Sequence, residues 1–329
     1  MHADRLLADL EARGLLPPEQ AAAIAQDERV RPFSLHQELR AALYLGITLL
    51  TGGLGVLLYQ HLDEIGHGVI IGSMALLMLA GFGYAVRHRQ PFTWGQASAP
   101  SFVPDYALLL GCLLFLALET YLQVQYNVFG SRYGLATILP AVLFFGLAYR
   151  FDHRGVLAMG ITALASWVGV SIAPVSAFTD NNFFTTRLGG VAVLLGLLLA
   201  GVGLDADLNR RKPHFAFTYI SLGANLALLA ATAALFDFYP QPFLPKVVMV
   251  PLILALSAAL VWYARRTQSY LFLLMGLLYS YLTVSYLFFR LLESSHGEAA
   301  GLAVTLYFML SALGIILLFV NGKKFLRRP

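Results

Sequence analysis

The sequence predicts an all-α protein: a polytopic transmembrane helical bundle of about ten spans, preceded by a small N-terminal cytoplasmic helical hairpin. Of its 329 residues, 58% are hydrophobic and only 12% are charged, which is about half the charged fraction of a soluble domain. The apolar residues form continuous runs, such as 193–199 and 315–320, whereas the strands of a membrane barrel alternate apolar and polar residues. Composition and patterning therefore exclude a soluble globular domain and a β-barrel.

Ten apolar segments are long enough to cross a membrane, since about 20 helical residues span roughly 30 Å of hydrocarbon. Their expected bounds are 41–59, 66–86, 104–125, 133–149, 155–175, 188–204, 214–238, 247–264, 269–289 and 299–320. The predicted domains are therefore the hairpin at 1–40, the bundle at 41–320 and a basic cytoplasmic tail at 321–329.

Lysine and arginine residues set the expected orientation. With the N-terminus placed inside, the inner loops and the tail hold 13 of the 22, the outer loops hold four, and the region before the first span holds five. Cytoplasmic loops of membrane proteins carry such an excess, so we expect both termini in the cytoplasm. The net charge of +4 then reflects topology, and we expect the lipid bilayer and no nucleic acid as a partner.

The residues before the first span have the pattern of two short helices. Leu6 and Leu10 lie one turn apart, Gly14 suits a helix end, and Pro17 and Pro18 suit the start of the next helix. The apolar face of this hairpin is too small to fold well alone. It must pack on the membrane surface, on the inner loops, or on a cytoplasmic protein partner that binds residues 1–40.

The turn between these two helices reads RGLLPPEQA over residues 13–21. It resembles the turn of the DUF2157 family of predicted bacterial membrane proteins, in which the pattern G-L-[IL]-[ST]-x-E-Q-A precedes several spans. Pro17 stands here where that family has Ser or Thr. The resemblance implies a multi-pass protein of the bacterial cytoplasmic (inner) membrane, and it implies no particular activity.

One acidic residue falls well inside a predicted span. Glu119 lies 14 residues beyond Asp105, or about 21 Å along a helix axis, whereas Asp105 suits the first turn of its helix. Gln123 and Tyr126 share the face of Glu119, at i+4 and i+7. Because ionisable groups in a bilayer are costly and mark function, Glu119 is the first candidate binding residue.

A second polar stripe completes the candidate cavity: Tyr279, Thr283, Tyr286 and Arg290 on one face of the ninth span, and Asn225 in the seventh. Two hypotheses remain open for these residues and Glu119. In one, they make interhelical hydrogen bonds, worth about 0.6–2 kcal/mol each. In the other, they line an outward-opening polar cavity in which Glu119 exchanges protons during transport.

Metal and cofactor chemistry have weak support. His61 and His67 flank two carboxylates in the first outer loop, but their spacing matches no zinc motif, and capping of two spans explains them better. The sequence contains no phosphate-binding glycine loop and no nucleophile elbow. We therefore expect no cofactor, no metal site and no catalytic residue.

The turns after the fourth and eighth spans resemble each other. Residues 148–150 and 157–160 match 264–266 and 273–276 at a constant offset of 116 residues, with five of seven positions identical. Many transporters contain repeats, but shared membrane composition also produces such a match, and both explanations stay open.

Three functional classes remain. The first is a carrier or channel for a small solute, with a polar cavity around Glu119. The alternative is a membrane scaffold or sensor that works through the N-terminal hairpin. The third, a membrane enzyme acting on lipid or envelope substrates, is least expected because no pair of acids or histidines is placed at one depth.

Overall fold

The computed structural model describes residues 17–20, 66–96, 103–130, 132–172, 186–239, 243–292 and 301–314. Contacts divide the chain into two compact units, Met1–Ile71 and Gly72–Pro329. The first predicted span, the basic tail and most of the hairpin lie outside the described residues. One turn of the hairpin is described, in which the Gln20 amide donates to the Pro17 carbonyl oxygen at 3.0 Å.

The described residues are helical and contain no strand, which confirms the all-α prediction. The helices are α1 His67–Arg87, α2 Val103–Tyr126, α3 Leu135–Phe151, α4 Arg154–Ile172, α5 Thr186–Leu208, α6 Pro213–Leu235, α7 Lys246–Thr267, α8 Tyr270–Leu292 and α9 Gly301–Gly314. Seven of these described helices are long and apolar enough to cross a membrane, and α3 and α9 are shorter apolar helices. The chain is therefore a multi-pass membrane protein, in agreement with the prediction.

The sixth predicted span differs most from its helix. Hydropathy gives residues 188–204, whereas α5 runs over 23 residues. The additional C-terminal turn contains Asp205 and Asp207, which hydropathy excludes from a span but which a helix tolerates. The Asp205 carboxylate accepts a hydrogen bond from the Asn209 side chain at 2.7 Å, one turn further on. The helix therefore continues past the apolar segment.

The turns that join α3 to α4 and α7 to α8 are built alike. Each first helix ends on a residue in the left-handed conformation, Asp152 (φ 61°) and Gln268 (φ 55°). In each turn, the amides of that residue and of the next one donate to a single buried alanine carbonyl, that of Ala148 or of Ala264. Corresponding residues are 116 apart, which is the offset of the sequence match.

The same offset relates the packing of the two helix pairs. Buried positions coincide in six pairs: Ala141 and Ser257, Phe144 and Leu260, Ala148 and Ala264, Val156 and Phe272, Leu157 and Leu273, and Gly160 and Gly276. A Cβ atom built on Gly160 would lie 3.3 Å from the amide nitrogen of Phe145, and one on Gly276 would lie 3.3 Å from that of Val261. Each glycine therefore lets its two helices approach closely.

The preceding helix pairs share one feature, a glycine at a close approach. A Cβ atom built on Gly81 of α1 would lie 2.9 Å from the carbonyl oxygen of Ala107 in α2, and one on Gly196 of α5 would lie 2.5 Å from that of Gly223 in α6. Ala107 and Gly223 are again 116 residues apart. Gly81 and Gly196, however, are 115 residues apart, and α5 contacts α6 far more extensively than α1 contacts α2. The likeness therefore covers α2–α4 and α6–α8, in which α2 and α6 each pack on the two helices that follow. It favours a repeat over shared composition as the explanation of the sequence match.

Helix α6 is at the centre of the described bundle. It packs on α4, α5, α7 and α8. Of its most apolar 18-residue stretch, 67% is buried, against 33% or less for the other described candidate spans. Large apolar side chains on the outer faces stay exposed, among them Leu76, Leu198 and Val247. Such an apolar surface is expected where helices face lipid.

Candidate functional site

Glu119 lies in the second half of α2 and is buried, with 9% of the residue exposed. Its Oε1 atom has no hydrogen-bond partner among the described residues. The offset that relates α2 to α6 places the fully buried Leu235 at the corresponding position of the second copy. A carboxyl group thus occupies a position that the second copy fills with an apolar side chain, where an unpaired charge would be costly.

The other residues on the Glu119 face lie at the end of α2. The Gln123 side chain donates to Asn127 Oδ1 at 2.9 Å and accepts a hydrogen bond from the Phe129 amide at 2.9 Å. These two bonds fix the turn that follows α2. Tyr126, in the last turn, is 53% exposed.

The stripe on α8 makes hydrogen bonds within and between helices. The Tyr279 hydroxyl donates to Asn225 Oδ1 at 2.5 Å, which joins α8 to α6. Thr283 is fully buried, and its hydroxyl donates to the Tyr279 carbonyl oxygen of its own helix at 2.8 Å. Tyr279 and Thr283 are therefore buried polar groups near the central helix, whereas Asn225 is exposed.

The last two residues of the stripe lie at a cleft of about 750 Å³ at the end of α8. Arg290 donates to the Tyr286 hydroxyl at 2.7 Å. The ammonium group of Lys246 lies 5.6 Å from the centre of the Tyr286 ring and 2.5 Å from Asp237 Oδ2. The cleft thus contains two cations and one carboxylate.

The structure does not bring Glu119 to the polar stripe of α8. Helix α2 packs on α3 and α4, whereas α8 packs on α6 and α7. Among the described residues, the predicted cavity therefore divides into a group on α2 and a group on α6 and α8. Helical periodicity identifies the residues that share a face, but it does not identify which faces meet.

A buried cluster of ionisable side chains joins the α3–α4 turn to the start of α6. Asp152 Oδ1 lies 2.7 Å from Lys212 Nζ and 2.5 Å from His214 Nε2. The side chains of all three are at most 7% exposed. At this burial each charge depends on its partner, because removing one partner leaves an uncompensated charge.

Lys212 is held by several further contacts. Its backbone amide donates to the Trp94 carbonyl oxygen at 2.7 Å. Its ammonium group lies 5.0 Å from the centre of the Phe92 ring and 5.9 Å from that of Phe215, which are cation–π distances. The residue has a left-handed backbone (φ 54°) directly before Pro213, the first residue of α6. The helix start therefore directs this lysine inward.

Sequence reasoning missed this cluster. Lys212 was counted only among the positive charges of the inner loops, and no role was predicted for Asp152 or His214. The available signal was an aspartate within a short loop that is otherwise basic, between Arg150 and Arg154. The partners are 60 and 62 residues apart, so no local spacing connects them.

His153 lies next to the cluster, in the same turn. Its Nδ1 atom accepts a hydrogen bond from the Val156 amide at 3.1 Å. Burial lowers the pKa of His153 below its usual 6.5, and the nearby Asp105 carboxylate acts in the opposite direction. The neutral imidazole, which can accept this hydrogen bond, is therefore favoured.

A cavity of about 370 Å³ lies beside the cluster. It is lined by the end of α1 and residues 88–93, by the start of α2, by the α3–α4 turn and by Lys212. Three of the loops that the arginine count assigns to the inner side thus meet at one end of the bundle.

In the described part of the chain, no group of three or more His, Cys, Asp or Glu side chains is arranged to hold a metal ion. Of the two weak metal candidates, His67 is the first residue of α1, and His61 lies outside the described residues. Cys112 is a buried free thiol in α2.

No curated protein and no solved structure matches this chain. One family model does match, over residues 8–157, and it is described as a predicted membrane protein (DUF2157). The matched range begins in the predicted hairpin and ends in the first turn of α4. The match confirms the resemblance drawn from the N-terminal turn: over residues 8–157, this chain carries the pattern of the DUF2157 family of predicted membrane proteins.

Proposed function

We propose that this protein is a carrier for a small solute and that Glu119 is the residue that binds a proton or a cation during transport. The observation that carries the proposal is the buried carboxyl group of Glu119, whose Oε1 atom lacks a hydrogen-bond partner among the described residues. A carboxylate in a membrane helix normally pairs or marks an ion pathway.

The internal repeat supports the same proposal. Several transporter folds consist of two parallel repeats related by an axis along the membrane normal. Here the copies are three helices long, α2–α4 and α6–α8, and their buried positions coincide along α3–α4 and α7–α8. At one buried position the first copy has Glu119, whereas the second copy has the apolar Leu235. A difference of this kind is expected where one copy has acquired a binding role.

We also propose a bacterial cytoplasmic membrane location with both termini in the cytoplasm. The distribution of lysine and arginine supports this orientation. Reporter fusions at the two ends test it, and the expected result is a cytoplasmic signal from both. Reporters on opposite faces would overturn both the loop assignment and the depth given to Glu119.

The transport role is tested with the full chain and one acidic substitution. A strain lacking the protein is screened for growth and solute-uptake defects, and each defect is then complemented with wild type or with Glu119→Gln at matched expression. We expect Glu119→Gln to fail. Asp237→Asn is the matched control, because it also removes one carboxylate but at a position where the side chain is 67% exposed. It should complement.

Two outcomes contradict the proposal. Complementation by Glu119→Gln in every assay that responds to complete deletion would remove the carrier role of this residue. Deletion of residues 1–35 should spare transport. If that deletion abolishes complementation whereas Glu119→Gln does not, the scaffold or sensor role of the hairpin replaces the carrier proposal.

A further inference from the structure

The cavity at the arginine-rich end of the bundle has the size and the charge of a binding site. Its volume of about 370 Å³ lies in the range of small-ligand pockets, roughly 300–1,000 Å³. Four basic residues and two acidic ones line it: Arg87, Arg89, Arg150, Lys212, Asp105 and Asp152. The lining therefore has an excess of positive charge, even with His88 neutral.

The two acidic residues are already compensated within the protein. Asp152 accepts hydrogen bonds from Lys212 and His214. Asp105 lies in the first turn of α2, where the helix dipole favours a negative charge. The remaining positive charge comes from the arginines, so the cavity favours an anion.

The arginines are held around the cavity in different ways. Arg150 donates to the Gln90 carbonyl oxygen at 3.1 Å and so fixes the segment that follows α1. Arg87, the last residue of α1, and Arg89, two residues beyond it, are exposed. Guanidinium groups bind phosphate oxygens through paired hydrogen bonds. Two exposed guanidinium groups beside a fixed third therefore suit a phosphate group.

Aromatic residues place this cavity at the level of a membrane interface. Phe92 and Trp94 are 47% and 56% exposed and meet edge to face, with ring centres 5.3 Å apart. The Arg211 guanidinium lies 5.8 Å from the Trp94 ring. Exposed tryptophan beside arginine is typical of the headgroup region, and basic pockets between helices on the cytoplasmic side bind anionic headgroups.

We propose that this cavity binds a phosphate group, with Arg87 and Arg89 as its main ligands. The phosphate belongs either to an anionic lipid of the inner leaflet or to a free phosphate ion. The site is independent of the carrier proposal, because Glu119 lies 14 residues along α2 from Asp105 and does not line the cavity.

Thermal unfolding of the purified full chain in neutral detergent tests the proposal. Phosphatidylglycerol is titrated against phosphatidylcholine, and inorganic phosphate against chloride at equal ionic strength. Stabilisation that saturates gives an apparent dissociation constant. Arg87→Gln/Arg89→Gln should raise that constant at least ~tenfold, since each substitution removes charge-assisted hydrogen bonds.

Arg210→Gln/Arg265→Gln is the matched control. Both residues are exposed, and neither lines the cavity. Arg210 lies in the α5–α6 loop and Arg265 in the last turn of α7, which the charge count assigns to the same side. This variant should bind like wild type. A response to phosphatidylglycerol alone identifies a lipid headgroup, and a response to inorganic phosphate identifies the free ion. No saturable response, or an equal loss in both variants, overturns the proposal, because binding would then follow overall charge.

Discussion

Replacing Asp152 by Asn should destabilise the protein strongly, because it removes the negative charge from the buried cluster and leaves the shape unchanged. Asp152 Oδ1 lies 2.7 Å from Lys212 Nζ, and the lysine side chain is 2% exposed. Asparagine tolerates the left-handed conformation that this position requires (φ 61°). The substitution therefore tests the charge and not the backbone.

The expected loss follows from the burial of the pair. Breaking a buried ion pair by removing one partner costs about 3–5 kcal/mol. The Asn amide oxygen can still accept a hydrogen bond from Lys212, so we expect the lower value, about 3 kcal/mol. At roughly 2 °C per kcal/mol for a chain of this size, the melting temperature should fall by about 6 °C. Thermal unfolding in detergent measures the shift.

Asp237→Asn is a closely matched control. Asp237 also has a left-handed backbone (φ 60°) and also pairs with a lysine, Lys246, at 2.5 Å, but its side chain is 67% exposed. Exposed pairs contribute about 0–1 kcal/mol, so this variant should melt within about 2 °C of wild type. Equal shifts for Asp152→Asn and Asp237→Asn would refute the assignment of a buried, charge-dependent cluster.

A double variant separates loss of a partner from loss of the pair. In Asp152→Asn/Lys212→Met no uncompensated ammonium group remains, and an apolar chain can pack against Phe92 and Phe215, which already lie beside it. Replacing both members of a buried pair is often neutral or stabilising. The double variant should therefore recover at least half of the lost stability, and a further loss would contradict the argument.

Three further predictions concern packing, an interhelical hydrogen bond and a histidine. Gly196→Ala brings a methyl carbon 2.5 Å from the Gly223 carbonyl oxygen and should cost about 1–3 kcal/mol in thermal unfolding. Gly201→Ala, on the same helix but with nothing within 4 Å among the described residues, should cost nothing; equal effects would refute the close approach. Tyr279→Phe removes the hydroxyl that joins α8 to α6 and should cost about 0.6–2 kcal/mol, and an unchanged melting temperature would contradict that role. Burial lowers the pKa of His153 from 6.5, so the unfolded chain takes up this proton first. Stability should fall as the pH drops from about 6.5 towards the folded-state pKa and level off below it. His153→Asn should flatten this part of the pH profile. A profile parallel to that of wild type would show that His153 does not cause the pH dependence.

The sequence by itself determined the all-α, multi-pass class and the approximate bounds of the spans. Both depend on local properties. A segment must be apolar over the thickness of a bilayer, and its backbone must satisfy its own hydrogen bonds. The repeat was visible only as five matching residues. Evidence for a structural repeat required that the matching positions be buried and make the same helix-end hydrogen bonds. Ala148 and Ala264 do both.

Only the tertiary structure decided which polar groups meet. Glu119 and the polar residues of α8 do not lie together, because their helices pack on different partners. Asp152 and Lys212 form an ion pair across 60 residues of sequence. Spacing along one helix fixes the direction of a side chain relative to its own axis. The partner that it faces is fixed by how whole helices pack, and close packing at glycines such as Gly196 and Gly223 sets that arrangement here.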